Sequence, residues 1–199
     1  MFLLLLETTT KSEKDRREER KERLFSKIQK GVEKVKNVKK KSKKQEENIA
    51  KDIGGRTTPA SGALWAFKGD VRNDKYLIEA KFTDSNKYQL KYTTWDKIKR
   101  EAINDGLRIP VMQIDIQGSQ YALLRVDDLE ALAQDKGCAV LYVYEYTTRK
   151  STTIKSYPFE LFYLEAEAMN KVPCVTYRFK YENCDTLALI TWNDFKYIM

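Results

Sequence analysis

A chain of 199 residues with 42% hydrophobic and 12% aromatic content can build one substantial core, or one domain with an extension. It contains no histidine, which excludes a Ser-His-Asp triad, an HNH-type nuclease and every metal site built on imidazole. The net charge of +8 is uneven: residues 11–44 hold 16 Lys/Arg against 6 Asp/Glu, more than the whole surplus.

The chain starts Met1-Phe2-Leu3-Leu4-Leu5-Leu6, but this run is too short for a secretion signal and lacks a positive flank. No stretch approaches the ~20 apolar residues that span a bilayer, so a soluble, cytoplasmic protein with no membrane partner is expected. Residues 11–44 read as a basic helix. Leu24, Phe25, Ile28, Val32, Val35 and Val38 recur at steps of three and four on one face. The other faces are basic and include Lys39, Lys40, Lys41, Lys43 and Lys44, an arrangement suited to neutralising the phosphates of nucleic acid. The competing reading is a solvated helix whose stripe packs on the body or on a second copy.

A second helix is expected over residues 45–53, stopped by Gly54-Gly55. A turn-rich stretch follows to Gly62, then strands near residues 64–67, 68–71 and 76–83. A helix over residues 96–103 ends at Asn104-Asp105-Gly106. Strands over 110–116 and 121–126 and a short helix from Asp127 complete a mixed α/β sheet with helices on its faces. The domains expected are a basic arm over 1–44, a core over 45–136, and an α/β extension over 137–199 packed on that core. The cysteines Cys138, Cys174 and Cys184 are odd in number and lack a C-x-x-C spacing, so free buried thiols are expected rather than zinc or disulfides.

Chemistry concentrates at one hairpin. Alternation along residues 76–82 puts Leu77, Glu79 and Lys81 on one face and Tyr76, Ile78, Ala80 and Phe82 on the other. A turn at Arg72-Asn73-Asp74-Lys75 folds Asp70 back toward that face. Two carboxylates and an ammonium so grouped can hold a divalent metal and activate water beside a phosphodiester. The bland alternatives are a turn aspartate and a cross-strand ion pair; an exposed pair is worth only ~0–1 kcal/mol and explains little.

The C-terminal part looks like a degenerate second copy. Ile109-Pro110-Val111-Met112-Gln113 followed by residues 121–129 has a counterpart in Val172-Pro173-Cys174-Val175-Thr176 followed by residues 186–195. A Glu-Ala pair lies upstream of each, at Glu101-Ala102 and Glu167-Ala168. In this alignment Tyr144 and Tyr146 fall opposite Glu79 and Lys81, so the second unit is expected to be structural.

Asp70 with Glu79-x-Lys81, preceded by Gln45-Glu46-Glu47, Gly54-Gly55-Arg56 and Ser61-Gly62, resembles the PD-(D/E)XK nuclease superfamily. More narrowly it resembles the archaeal and phage Holliday-junction resolvases, over residues 44–130. One departure is Gly69, where the superfamily has proline. The resemblance implies a restriction-endonuclease-like α-β-β-β-α-β core with a mixed central sheet. It further implies Mg2+-dependent endonucleolytic cleavage of DNA, with Mn2+ able to substitute and no nucleotide cofactor. It assigns metal binding to Asp70, Glu79 and the Ala80 carbonyl, water activation to Lys81, and the helix carboxylate to Glu46, with Glu47 as the competitor. Arg56, Ser61 and Lys68 become DNA-backbone contacts. A homodimer acting on branched DNA is the expected assembly. Cleavage of linear duplex DNA in restriction or repair, and a non-catalytic DNA-binding module with a relic site, are the alternatives.

Overall fold

The computed structural model describes residues 13–58, 69–180 and 184–199, with backbone only for 13–17 and Lys34. Ser61, Lys68 and the strands expected between residues 64 and 70 therefore lie largely outside the described residues. The chain separates into two compact units, Met1–Lys41 and Ser42–Met199.

Instead of two helices, one helix of 40 residues, α1 (Glu13–Asp52), runs through the expected boundary at residues 44–45. The reason is local: no proline interrupts it, and Lys, Gln, Glu and Ala are strong helix formers. It stops where expected, at Gly54, whose φ of +60° is left-handed, with the Gly55 N–H donating to the Ala50 carbonyl at 2.8 Å. In the first unit the side chains of the apolar stripe, Leu24 to Val38, are 42–63% exposed.

The second unit is built on an eight-stranded mixed sheet in the order β1-β2-β3-β5-β6-β10-β9-β7. Strands β1 (Arg56–Thr57), β2 (Val71–Arg72) and β3 (Tyr76–Thr83) form an antiparallel edge. Strand β4 (Lys87–Lys91), absent from the sequence-based expectation, leads into α2 (Tyr92–Asn104), and β5 (Ile109–Ile116) returns parallel to β3. Strand β6 (Ser119–Arg125) then pairs antiparallel with β5 and is followed by α3 (Val126–Asp135). The expected α/β layering is present, with α2 beginning four residues early because Tyr92 and Trp95 turn into the core.

The same succession then recurs. Strand β7 (Ala139–Thr148) is followed by β8 (Ser151–Lys155), a 3-10 turn at Phe159–Leu161 and α4 (Tyr163–Ala168). Strand β9 (Lys171–Phe179) returns parallel to β7, β10 (Thr186–Thr191) pairs antiparallel with β9, and α5 (Trp192–Ile198) closes the chain. Strands β6 and β10 meet antiparallel at the centre of the sheet, with Leu123 opposite Leu189, while β4 pairs with β8 as a separate ribbon. The two copies are thus related by a pseudo-two-fold axis between Leu123 and Leu189, and residues 137–199 share one sheet with residues 69–136. One detail of the sequence alignment shifts: the buried alanine of α4, matching Ala102 of α2, is Ala166, whereas Ala168 is exposed.

Apolar side chains fill both faces of this sheet. Ile49 and Ala50 of α1, and Ile53 just past its end, pack with Tyr76, Ile78, Ala80, Val111 and residues of α3 and α5 on one face. Trp95, Ile98, Met112, Ile114, Leu123, Val175, Tyr177 and Leu189 pack on the other. Cys174 is buried, and Cys138 and Cys184 are half-buried. Among the described residues no helix is long and apolar enough to cross a membrane.

Candidate functional site

The hairpin expected from the sequence is present. The Asn73 side chain accepts from the Lys75 and Tyr76 N–H groups at 2.9 and 2.7 Å, closing the turn as an Asx motif. Beyond the turn, the Asp70 N–H donates to the Ile78 carbonyl at 3.0 Å, and the Ala80 N–H donates to Asp70 Oδ2 at 2.8 Å. That second bond fixes the Asp70 carboxylate between the backbone positions of Glu79 and Lys81. Lys81 Nζ donates to Glu79 Oε1 at 2.5 Å, both side chains being largely shielded. Asp70, Glu79 and Lys81 are therefore brought together.

The helix carboxylate arrives from α1. Glu46 is half-buried, accepts from Ser42 Oγ at 3.2 Å, and feels the charges of Asp70 and Glu79. Glu47 points outward, within 3.9 Å of Lys43. Gln45, which sequence reasoning used only as a marker, is buried: its Nε2 donates to the Lys81 carbonyl at 3.1 Å and to Gln113 Oε1. A glutamine on a helix paired with a glutamine in a buried strand was the available signal, since buried amides need partners. Gln45 Oε1 has no hydrogen-bond partner among the described residues. Tyr88, on the unforeseen β4, is also close enough to Lys81 and Glu79 to feel both charges.

Crowded like charges set the electrostatics. Burial and then the Asp70 charge raise the Glu79 carboxyl above the usual range, against the opposing pull of Lys81. Burial and Asp70 do the same to Glu46. Burial disfavours the Lys81 ammonium, but Glu79 and Asp70 outweigh it and hold Lys81 above the ordinary lysine value.

The other expected contacts are scattered. Arg56 is exposed on β1 opposite Arg72, at the turn end of the hairpin and away from Lys81. There it lines a shallow cleft with Gly54, Gly55, Asn73 and Arg108. Lys39, Lys40 and Lys41 are exposed in the first unit, and Lys43 and Lys44 are exposed in the second.

Register places the second copy of the site residue by residue. Glu79 lies beside Met112, which faces Leu123; Tyr144 lies beside Val175, which faces Leu189. Lys81 beside Ile114 is matched by Tyr146 beside Tyr177. A bulge between Tyr142 and Tyr144 accommodates the extra residue Val143. The rings of Tyr144 and Tyr146 join Tyr157, Phe162 and Tyr177 in an aromatic cluster.

As a donor set, Asp70, Glu79 and Glu46 offer hard carboxylate oxygens whose mutual repulsion suits a divalent cation. Among the described residues no three acidic, cysteine or histidine side chains already gather into a chelating group, and Lys81 holds Glu79. The chemistry fits a hard metal ion, provided that Glu79 leaves Lys81 to bind it. No family model, curated protein or solved structure matches the chain.

Proposed function

We propose that the protein is a divalent-metal-dependent DNA endonuclease of the PD-(D/E)XK type, selective for branched DNA in the manner of Holliday-junction resolvases. The observation that carries this reading is the Ala80 N–H bond to Asp70, which seats one carboxylate against a strand whose next two side chains of that face are Glu79 and Lys81. Its support is wider than the triplet, because the helix carboxylate Glu46 comes from a separate element and still senses Asp70 and Glu79.

Asp70, Glu79 and the Ala80 carbonyl would hold Mg2+ or Mn2+, with Glu46 as the fourth carboxyl or carbonyl group at the site. The bound cation would supply Lewis-acid stabilisation of charge on the phosphate and a more acidic water. Lys81, freed from Glu79, orients the attacking water and offsets charge developing on the phosphate oxygens. Exposed lysines of the arm, Lys39 to Lys41, with Lys43 and Lys44, provide salt-sensitive contacts to the DNA backbone. Arg56 would touch the backbone at the turn end of the hairpin.

The test is a cleavage panel of four-way junction, flap, linear duplex and single strand with Mg2+. Junction-selective nicking is expected. Asp70→Asn, Glu79→Gln and Lys81→Ala should each abolish cleavage and leave DNA binding. Metal-dependent cleavage surviving in all three would refute the assignment, and preference for linear duplex would move the protein to a restriction or repair role. A non-catalytic DNA-binding module is the second reading. It is favoured by the direct Lys81–Glu79 pair and by a second copy in which tyrosines stand at both positions. DNA binding without cleavage of any substrate would select it.

A further inference from the structure

The pseudo-two-fold axis relates every helix that follows a strand of the first copy to one in the second, but among the described residues α1 has no counterpart. In the first copy, the C-terminal turns of α1 cover the sheet face bearing Ile78, Ala80 and Gln113. Gln45 bonds Gln113, Ile49 and Ile53 pack with Ile78 and Ala80, and Asp52 accepts from Trp192 Nε1 at 2.7 Å at the start of α5. Register gives the matching positions in the second copy: Tyr142 for Ile78, Glu145 for Ala80 and Thr176 for Gln113. Val126, the first residue of α3, matches Trp192, the first of α5.

All four of these residues line one open cleft of 870 Å3. What is covered in one copy is open in the other: Ile78 is 0% exposed, and Tyr142 is 48% exposed. The cleft is where a helix sits in the related half.

We infer that this cleft receives the basic arm of a second copy of the chain. Two observations select that occupant. Pseudo-symmetry calls for a helix. The arm has an exposed apolar row, Leu24, Ile28 and Val32, with the i, i+4, i+8 spacing by which Gln45, Ile49 and Ile53 fill the first groove. Reciprocal exchange, each arm in the other copy's cleft, gives a closed two-fold dimer. This holds whether or not Asp70 and Glu79 cleave DNA.

Sedimentation of the full chain tests it. The intact protein should be a dimer. Leu24→Asp with Ile28→Asp should halve the mass, and so should Tyr142→Ala with Glu145→Arg, both variants keeping the circular dichroism of the intact chain. A monomeric intact chain would overturn the inference. So would a dimer that survives the cleft variant but not the arm variant, because the arms would then pair with each other.

Discussion

At Gly69 the backbone has φ +70°, and an added Cβ would lie 2.7 Å from the Leu77 side chain, which is fully buried. Proline, fixed near φ −65°, cannot stand there. Glycine at residue 69, where the superfamily that the sequence resembles has proline, therefore has a steric cause in the way this residue delivers Asp70 to the Ala80 N–H. Gly69→Ala should destabilise the fold by about 2–4 kcal/mol, combining left-handed strain with overpacking. A urea titration measures it, and a loss within error would contradict the geometry. The carboxyl cluster gives a second prediction. Burial and Asp70 raise Glu46 and Glu79, so the folded metal-free chain holds protons that the unfolded chain releases. Their contribution to stability is favourable below the ordinary carboxylate range and falls as pH rises through the raised one. Glu79→Gln should therefore gain on the intact protein between about pH 4 and pH 7 in urea midpoints. A difference independent of pH would show that Glu79 is not crowded. The triplet was legible from alternation and one turn, because strand periodicity is local. Gln45 and Tyr88 were not, because their approach depends on pairing across the sheet and on a helix 36 residues away in sequence from Lys81.

Elements end where their residues dictate. Helix α5 is capped by Thr191, which accepts from the Asp194 N–H at 3.1 Å while its hydroxyl donates to Asp194 Oδ2 at 2.6 Å. Thr191→Ala should cost about 1 kcal/mol in thermal or urea unfolding. The last turns of α1 act through packing: Ile49 is 2% exposed against the hairpin. Ile49→Ala should cost about 3 kcal/mol and loosen the approach of Glu46. Hydrogen exchange at Ile78 and Ala80 reads that loosening, and unchanged protection would mean that α1 does not hold the hairpin. Strands 76–83 and 109–116 and the stop at Gly54 were legible because each rests on a short pattern. The single 40-residue helix was not. A change from basic to mixed composition near residue 45 looks like a boundary, yet no residue there lowers helix propensity. Strand β4 was missed because Lys87-Tyr88-Gln89-Leu90-Lys91 gains its order from pairing with β8, a long-range partner.

For the whole molecule, the pseudo-two-fold sheet decides how the chain behaves. Ala122, Leu123 and Leu124 of β6 are buried by β10, so residues 42–136 alone would expose a central apolar edge. That fragment should fail to fold or should aggregate, and the intact unit should unfold in one transition; a soluble, cooperatively folded fragment would contradict this. The repeat was readable from two Val/Ile-Pro strand starts, but its axis was not, since pairing of β6 with β10 leaves no mark in either strand. The central claim is that Asp70, Glu79 and Glu46 form one divalent-cation centre per chain, the second position being filled by tyrosines. Calorimetric titration of the intact chain with Mn2+ tests it most directly. One ion per chain is predicted, with the binding heat lost in Glu79→Gln and retained in Tyr144→Phe. No binding heat, or binding that survives Glu79→Gln unchanged, would contradict the account.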